Sequence, residues 1–269
     1  MNQTPQVHLL RSGLVITLRC TLKCKLCGGY IPCYKNPQDI PFDEVARTID
    51  SYFSVVDTVG DFSLTGGEPL LNPDLGRIIE KAMEYGDQIG ALLILTNGTL
   101  LFQEDTLKIL KKHRHKCQVT ISDYGKVSPK ASLLSEILKE NEIPCRVINY
   151  SGENLFCDGW VDFGDHTQKH FTQEEIDEQG RRCAVRNRHC NFYILHGELH
   201  SCGRAYRRME LGIIPKNRSE YVDLLDGSIP NEEKRETVLN IYHSVSATSC
   251  AYCNGLCADS PRFPPAEQL

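Results

Sequence analysis

The chain has 269 residues, 41% of them hydrophobic and 24% charged, a globular balance that excludes global disorder. A formal net charge of -5 excludes a broad electrostatic footprint for nucleic acid. The longest apolar runs, such as Leu92 to Leu95, fall far short of the roughly 20 residues that cross a bilayer.

The opening MNQTPQVHLLRSG lacks the charged start and long apolar stretch of a signal peptide, so the expectation is a cytoplasmic protein with no membrane partner. Thirteen cysteines, an odd number, in such a chain point to metal ligation over a disulfide framework. Three stand together at Cys20, Cys24 and Cys27, and six more lie from Cys183 to Cys257.

The first 150 residues alternate strand and helix patterns. Leu14 to Leu18 reads as a short buried strand, and residues 41–59 as a helix with Val45, Ile49, Tyr52, Phe53 and Val56 near helical spacing. Asp61 to Thr65 reads as a strand, after which Asn72 is expected to cap a helix with Pro73 at its first position. A strand over Ala91 to Thr96, a helix over 103–112 and a strand over Cys117 to Ser122 follow. Ser128-Pro129 is expected to start another helix, and Pro144 to Tyr150 to form a strand. Such alternation predicts βα units on a parallel sheet, either doubly wound or barrel-like. Five units, with a sixth near Asn191 to Leu195, favour a partial (β/α)6 TIM-like barrel, whose chemistry belongs in the loops after the strands. We expect this core over residues 1–165 and a small second domain over 166–269. There Thr172 to Glu175 matches a capping box, Phe192 to Leu195 and Glu198 to His200 suit a hairpin turning at His196-Gly197, and the tail PRFPPAEQL reads as frayed.

Each candidate motif falls after a predicted strand. Three thiolates within eight residues, Cys20, Cys24 and Cys27, can face one point if their loop curls. A structural zinc site wants four ligands, and none follows at a usual spacing. Three thiolates on a four-iron cluster leave one iron open, although spacing alone leaves zinc or buried thiols possible. Leu64-Thr65-Gly66-Gly67-Glu68-Pro69-Leu70 offers two glycines that let backbone approach a ligand and a carboxylate that can pair with an ammonium group. Thr96-Asn97-Gly98 and Ser122-Asp123 end the next two strands.

These residues resemble the radical S-adenosylmethionine (radical SAM) superfamily over roughly residues 14–150. Cys20, Cys24 and Cys27 match its CxxxCxxC signature, with Leu26 at the apolar position, and Gly66-Gly67-Glu68-Pro69 looks like its GGEP motif. The resemblance implies a [4Fe-4S] cluster whose open iron binds S-adenosyl-L-methionine and delivers the electron that releases a 5′-deoxyadenosyl radical. It implies that the GGEP motif binds the methionyl amino group, that Asn97, Ser122 and Asp123 lie where ribose and carboxylate are held, and that flavodoxin or ferredoxin donates the electron. It also implies that the cofactor carries the chemistry while protein positions it and excludes water.

Cys183, then Gly197 to Cys202, looks like the start of the SPASM and twitch extensions of some of these enzymes, and Cys250-Ala-Tyr-Cys253 is a metal-type pair. The twitch version implies one auxiliary [4Fe-4S] cluster on four cysteines, assigned to Cys183, Cys202, Cys250 and Cys253. Cys190 is an alternative to Cys183, and Cys257 to either member of the pair. A four-cysteine zinc ribbon fits the same spacing. Cys33, Cys117, Cys145 and Cys157 show no ligand spacing and read as structural thiols. The run Lys111 to Lys116 reads as a solvated helix end, Asp158 to Asp165 as cavity lining or lid packing, and Arg204, Tyr206, Arg207 and Arg208 as candidates to hold an anionic or hydroxylated substrate.

The leading expectation is hydrogen abstraction from a small molecule, such as dehydrogenation of a sugar or cyclitol, since known twitch relatives include a dehydrogenase of an aminocyclitol. Thioether formation or epimerisation in a ribosomal peptide is the alternative enzyme class. The 19 residues before Cys20 leave little room for a peptide-recognition domain. A non-catalytic zinc or iron–sulfur module is a third reading, and it leaves Gly66 to Pro69 unexplained.

Overall fold

Short aliphatic runs separated by amphipathic helices build successive parallel steps. The computed structural model describes residues 5–189 and 191–269. Strands β1 (His8–Thr17), β2 (Thr58–Gly66), β3 (Ile89–Thr96), β4 (Cys117–Asp123) and β5 (Cys145–Asn149) alternate with helices α1 (Phe42–Val55), α2 (Leu75–Met83), α3 (Glu104–Lys112) and α4 (Ala131–Glu140). After them come α5 (Gln173–Arg182), β6 (Asn191–Leu195), β7 (Glu198–His200), α6 (Gly203–Glu210), β8 (Tyr221–Asp223) and α7 (Asn231–His243). All eight strands join one sheet in the order β5-β4-β3-β2-β1-β6-β7-β8. Pairing is parallel from β5 through β6 and antiparallel for β7 and β8. The sheet stays open, as a partial TIM-like barrel does. The segment beyond residue 165 does not build a sheet of its own, because β6 pairs with β1 from Arg11↔Asn191 to Leu14↔Ile194.

The core lies between sheet and helices. Phe62, Leu64, Leu92, Ile94, Val119 and Ile121 from the central strands are almost wholly buried against Ile49, Tyr52, Ile78, Ile79, Leu110 and Leu134 from the helices. Each such aliphatic burial contributes roughly 1.5–3 kcal/mol. Tyr52 also donates its hydroxyl to Ser12 Oγ at 2.8 Å, which satisfies a polar group inside this core. Asp57 accepts from Arg235 at 2.6 and 3.1 Å and from the Val7 amide at 2.7 Å, tying α7 to the start of β1 and β2.

Two helix starts differ from the expectation. α2 begins at Leu75, because Asn72 turns its Nδ2 to Ile16 O at 2.7 Å and accepts from Asp74 N. α4 begins at Ala131, because Ser128 Oγ bonds to Asn97 O at 2.7 Å and accepts from Tyr124 N. In both places the capping side chain is drawn into a tertiary contact. The Thr172–Glu175 capping box forms at the head of α5. The β6–β7 hairpin turns at His196 and Gly197, both at positive φ (50° and 73°), as a tight hairpin requires. The tail is not frayed. Trp160 and Phe263 exchange backbone hydrogen bonds at 2.9 and 2.8 Å, and Gln268 pairs with Cys24 across an antiparallel bridge. No helix among the described residues is long and apolar enough to cross a membrane.

Candidate active site

Because β1 to β4 are parallel, the loops after Thr17, Gly66, Thr96 and Asp123 emerge on one edge of the sheet. The cysteine loop follows β1. Leu22 N donates to Cys20 Sγ at 3.4 Å, Asn97 Nδ2 approaches the same sulfur at 3.6 Å, and Gln268 Nε2 donates to Cys24 Sγ at 3.4 Å. Burial pushes the Cys20 thiol up to about 11, with the Leu22 amide acting against it. Burial likewise raises Cys24, countered by Gln268, and raises Cys27, countered by the amides of Ile31, Gly29 and Tyr30. Thiolates held here thus need a cation, and amide donors already face the sulfurs, which suits an iron–sulfur cluster.

The paired glycines are required by a close approach inside the protein. A Cβ on Gly66 would stand 2.1 Å from Thr17 O, and one on Gly67 2.1 Å from Arg19 O. Gly67 N donates to Thr17 O at 2.9 Å and Glu68 N to Arg19 O at 2.8 Å. The close approach is therefore to the backbone that leads into Cys20. Glu68 is fully buried, accepting from Leu70 N at 3.1 Å and Asn97 N at 2.7 Å, and burial raises its carboxyl to about 6. Both oxygens face backbone donors, so Glu68 clamps the β2 and β3 loops together instead of presenting a free carboxylate at the mouth of the sheet. Pro69 opens the short turn that follows. Asn97 Nδ2 donates to Thr21 Oγ1 at 3.0 Å, knitting the β3 loop to the cysteine loop. Asp123 Oδ1 accepts from Gly125 N, and Ser122 O from Ser128 Oγ; both residues end β4, half-buried.

A cavity of about 780 Å³ sits above β1, β2, β3 and β6. Val15, Thr65, Gly66, Leu95 and Tyr193 line its sheet side, while Gly28, Gly29 and Arg204 line the other. An adjoining apolar cavity of about 580 Å³ has Leu26, Tyr150, Phe156, Trp160 and Phe163 in its walls. Of Asp158 to Asp165, Gly159, Trp160, Val161 and Phe163 thus serve as lining, and Trp160 also stacks edge-on against Tyr124.

A third cavity, of about 360 Å³, brings Cys183, Cys202, Cys250 and Cys253 together from positions up to 70 residues apart (253 − 183). Burial pushes Cys250 up to about 12 and also raises Cys253, opposed by the charges of Arg208 and Arg204. Amides again approach the sulfurs: Leu256 N to Cys183 at 3.4 Å and Gly255 N to Cys253 at 3.3 Å. Cys257 lies outside this lining, buried beside Gln179, whose Nε2 is 3.6 Å from its sulfur. Cys190 lies outside the described residues. Among the described residues no three Cys, His, Asp or Glu side chains close on a single ion. The second set of thiols lines one small apolar cavity, and its donor set of four sulfurs is that of an iron–sulfur cluster or a zinc ion. A buried polar atom without a partner, Arg208 Nε, marks the same region, and a cluster with anionic thiolates fits that cation.

Of the other thiols, Cys117 is buried in β4 and Cys145 is half-buried beside Ser135, whereas Cys33 and Cys157 are exposed. The basic run forms a helix end, with Lys112 and His113 on Glu80 and Lys116 on Ile89 O. Arg207 pairs with Glu210 beside the buried Tyr206. Sequence reasoning missed the contacts of Gln268 and the anchoring by Arg208; neither has a local spacing signal.

Comparison with known proteins fits this arrangement. Residues 14–122 match the Radical SAM superfamily. A GTP 3′,8-cyclase of Campylobacter jejuni subsp. doylei is 34% identical over 108 residues, 39% of this chain and 32% of that protein. The chain thus spans about a third of the length of the curated relatives it matches. The crystal structure of BtrN in complex with AdoMet and 2-DOIA superposes with a TM-score of 0.61 at 13% identity, covering 96% of this chain and 98% of the other. Native anSMEcpe with bound AdoMet and Kp18Cys peptide gives 0.53 at 13% identity, covering 97% and 93%. At such identities these two likenesses concern the fold.

Proposed function

We propose that this chain, a member of the radical SAM superfamily through residues 14–122, abstracts a hydrogen atom from a small-molecule substrate, with dehydrogenation of a sugar or cyclitol as the best-supported case. The observation that carries this reading is the cavity beside β1, β2, β3 and β6, which is walled by the polar residues Thr65, Ser63, Asn191 and Tyr193 as well as apolar ones. Bound to a cluster on Cys20, Cys24 and Cys27, S-adenosylmethionine supplies a 5′-deoxyadenosyl radical.

The chain's own residues do the positioning. Gly66 and Thr65 border the cavity where the methionyl end would lie, and Leu26 with Trp160 lines the apolar space that suits the adenosyl end. Glu68 and Asn97 hold the β2 and β3 loops against the cysteine loop, so these walls are set before any ligand enters. Cys183, Cys202, Cys250 and Cys253 would hold a second cluster beside the same cavity, with Cys202 and Arg204 common to both linings.

The resemblance to a GTP 3′,8-cyclase covers 39% of this chain and 32% of that protein, so it leaves the substrate to the cavity. The likeness to BtrN, whose crystal holds AdoMet and 2-DOIA, is one of fold. The test is anaerobic reconstitution with S-adenosylmethionine and reductant. We expect 5′-deoxyadenosine, abolished in the Cys20→Ala, Cys24→Ala, Cys27→Ala triple variant and stimulated by polyhydroxylated small molecules. Stimulation by a peptide, and not by any such small molecule, would establish the rival substrate class. Absence of 5′-deoxyadenosine from a fully iron-loaded chain would refute the cofactor assignment.

A further inference from the structure

Arg204 and Arg208 lie four residues apart on α6, directly after Cys202. Neither has a carboxylate partner among the described residues. Arg204 rests over the Phe163 ring, 3.8 Å from its centroid, and lines the same cavity as the four cysteines. Arg208 is wholly buried. It donates to Ser249 O at 3.1 Å, Ser249 Oγ at 2.8 Å and Tyr252 O at 2.7 Å, so it grips the residues immediately before Cys250 and Cys253. Its Nε has no partner. A guanidinium does not lose its proton in a protein, and a buried charge is costly unless an opposite charge faces it. The thiols of Cys202, Cys250 and Cys253, with Cys183, are the anionic groups in reach once they ligate iron. Arg204 lines the cavity of the four cysteines, as Arg186 does, and Arg208 stands behind the Cys250–Cys253 turn with its charge acting on Cys253.

We propose that Arg204 and Arg208 form the counter-charge of a cluster held by Cys183, Cys202, Cys250 and Cys253 and set its reduction potential above that of the cluster on Cys20, Cys24 and Cys27. The inference rests on the two-cluster reading above. Its physical basis is that adding an electron to an anionic cluster is easier beside fixed positive charge, and net local charge is one of the levers on iron–sulfur potentials. The first site has amide donors at its sulfurs, and the cations of its loop are Arg19, paired with Asp39 at 2.7 Å, and the solvent-exposed Lys23 and Lys25, the latter on Glu267. Arg204 acts through its charge alone, whereas Arg208 also orders the Cys250–Cys253 turn.

The test uses the full-length chain carrying Cys20→Ala, Cys24→Ala and Cys27→Ala, so that iron at the second site is read alone. Potentials are measured by redox titration followed by electron paramagnetic resonance. In this background Arg204→Met, which keeps the bulk over Phe163, should lower the midpoint so that the reduced-to-oxidised ratio at a fixed poise falls roughly tenfold, about 59 mV for one electron. Arg204→Lys should restore most of the parent value. Arg208→Lys, if loaded, should stay near the parent potential but hold less iron, because the fork that grips Ser249 and Tyr252 is lost. An unchanged potential in a fully loaded Arg204→Met protein would overturn the inference while leaving the second cluster intact. A parent that binds zinc or no iron at this site would instead overturn the two-cluster reading.

Discussion

The two cysteine sites use the same donor atom but are built in opposite ways. Cys20, Cys24 and Cys27 belong to one loop, anchored on β1 and strapped by Glu68, Asn97 and Gln268. Cys183, Cys202 and the Cys250–Cys253 turn come from three separate segments, and Arg208 ties α6, which follows Cys202, to that turn. A contiguous loop on a buried strand can hold its shape without metal. A site that closes long loops must offset their closure entropy, so there metal binding becomes folding energy. The proposed numbers of ligands differ in the same sense: three within the loop would leave a coordination position open, and four around a cavity would close it.

The sharpest test of this contrast is metal removal. In the apo chain, hydrogen exchange should rise most in the segments around Cys183 and Cys250–Cys257 and least in β1–β4 and their loops. Equal loosening of both regions would erase the distinction. Gly67→Ala should come next in size. With a Cβ 2.1 Å from Arg19 O and 3.0 Å from Cys20 Cβ, it should cost more than about 4 kcal/mol or displace the cysteine loop, as backbone clashes do; denaturant unfolding and 5′-deoxyadenosine yield read both effects. Gln268→Ala should be milder, about 1 kcal/mol, since it removes the acceptor for Lys23 N at 2.8 Å and the donor to Cys24. It should speed oxidative bleaching of the first cluster and leave that of the second unchanged.

The smallest effect concerns pH. His200 is fully buried, and burial lowers its pKa from the ordinary 6.5 despite the Glu198 carboxylate at 3.1 Å. The unfolded chain therefore binds a proton below about pH 6.5 that the folded chain resists. The contribution of this group to stability rises with pH up to that value and then levels. His200→Gln should flatten the dependence of Tm on pH below 6.5, and an unaltered slope would assign the dependence to other groups.

Strand positions were legible because a buried parallel strand leaves a run of aliphatic residues: β3 and β4 fall within about two residues of the segments expected from 91–96 and 117–122. Cap residues were less legible. Asn72 and Ser128 carry the right chemistry for helix starts, but tertiary acceptors at Ile16 O and Asn97 O claim them. Gly66-Gly67 was visible as a place of close backbone approach, although its partner, the end of β1, depends on sheet order. Proline content made the tail look frayed, whereas its pairing with Trp160 and Cys24 depends on residues more than 100 positions away. Arg208 stood out only as a substrate candidate; its burial had no local signal, because it follows from where the Ser249–Tyr252 turn docks.

The central claim is that one cysteine set leaves an iron accessible and the other does not. Mössbauer spectroscopy of the 57Fe-reconstituted chain, with and without S-adenosylmethionine, tests it directly. The account predicts about eight irons per chain, from two clusters of about four each, with a single iron site changing its signal when S-adenosylmethionine is added. A spectrum indifferent to S-adenosylmethionine, or a second site filled by zinc, would contradict it.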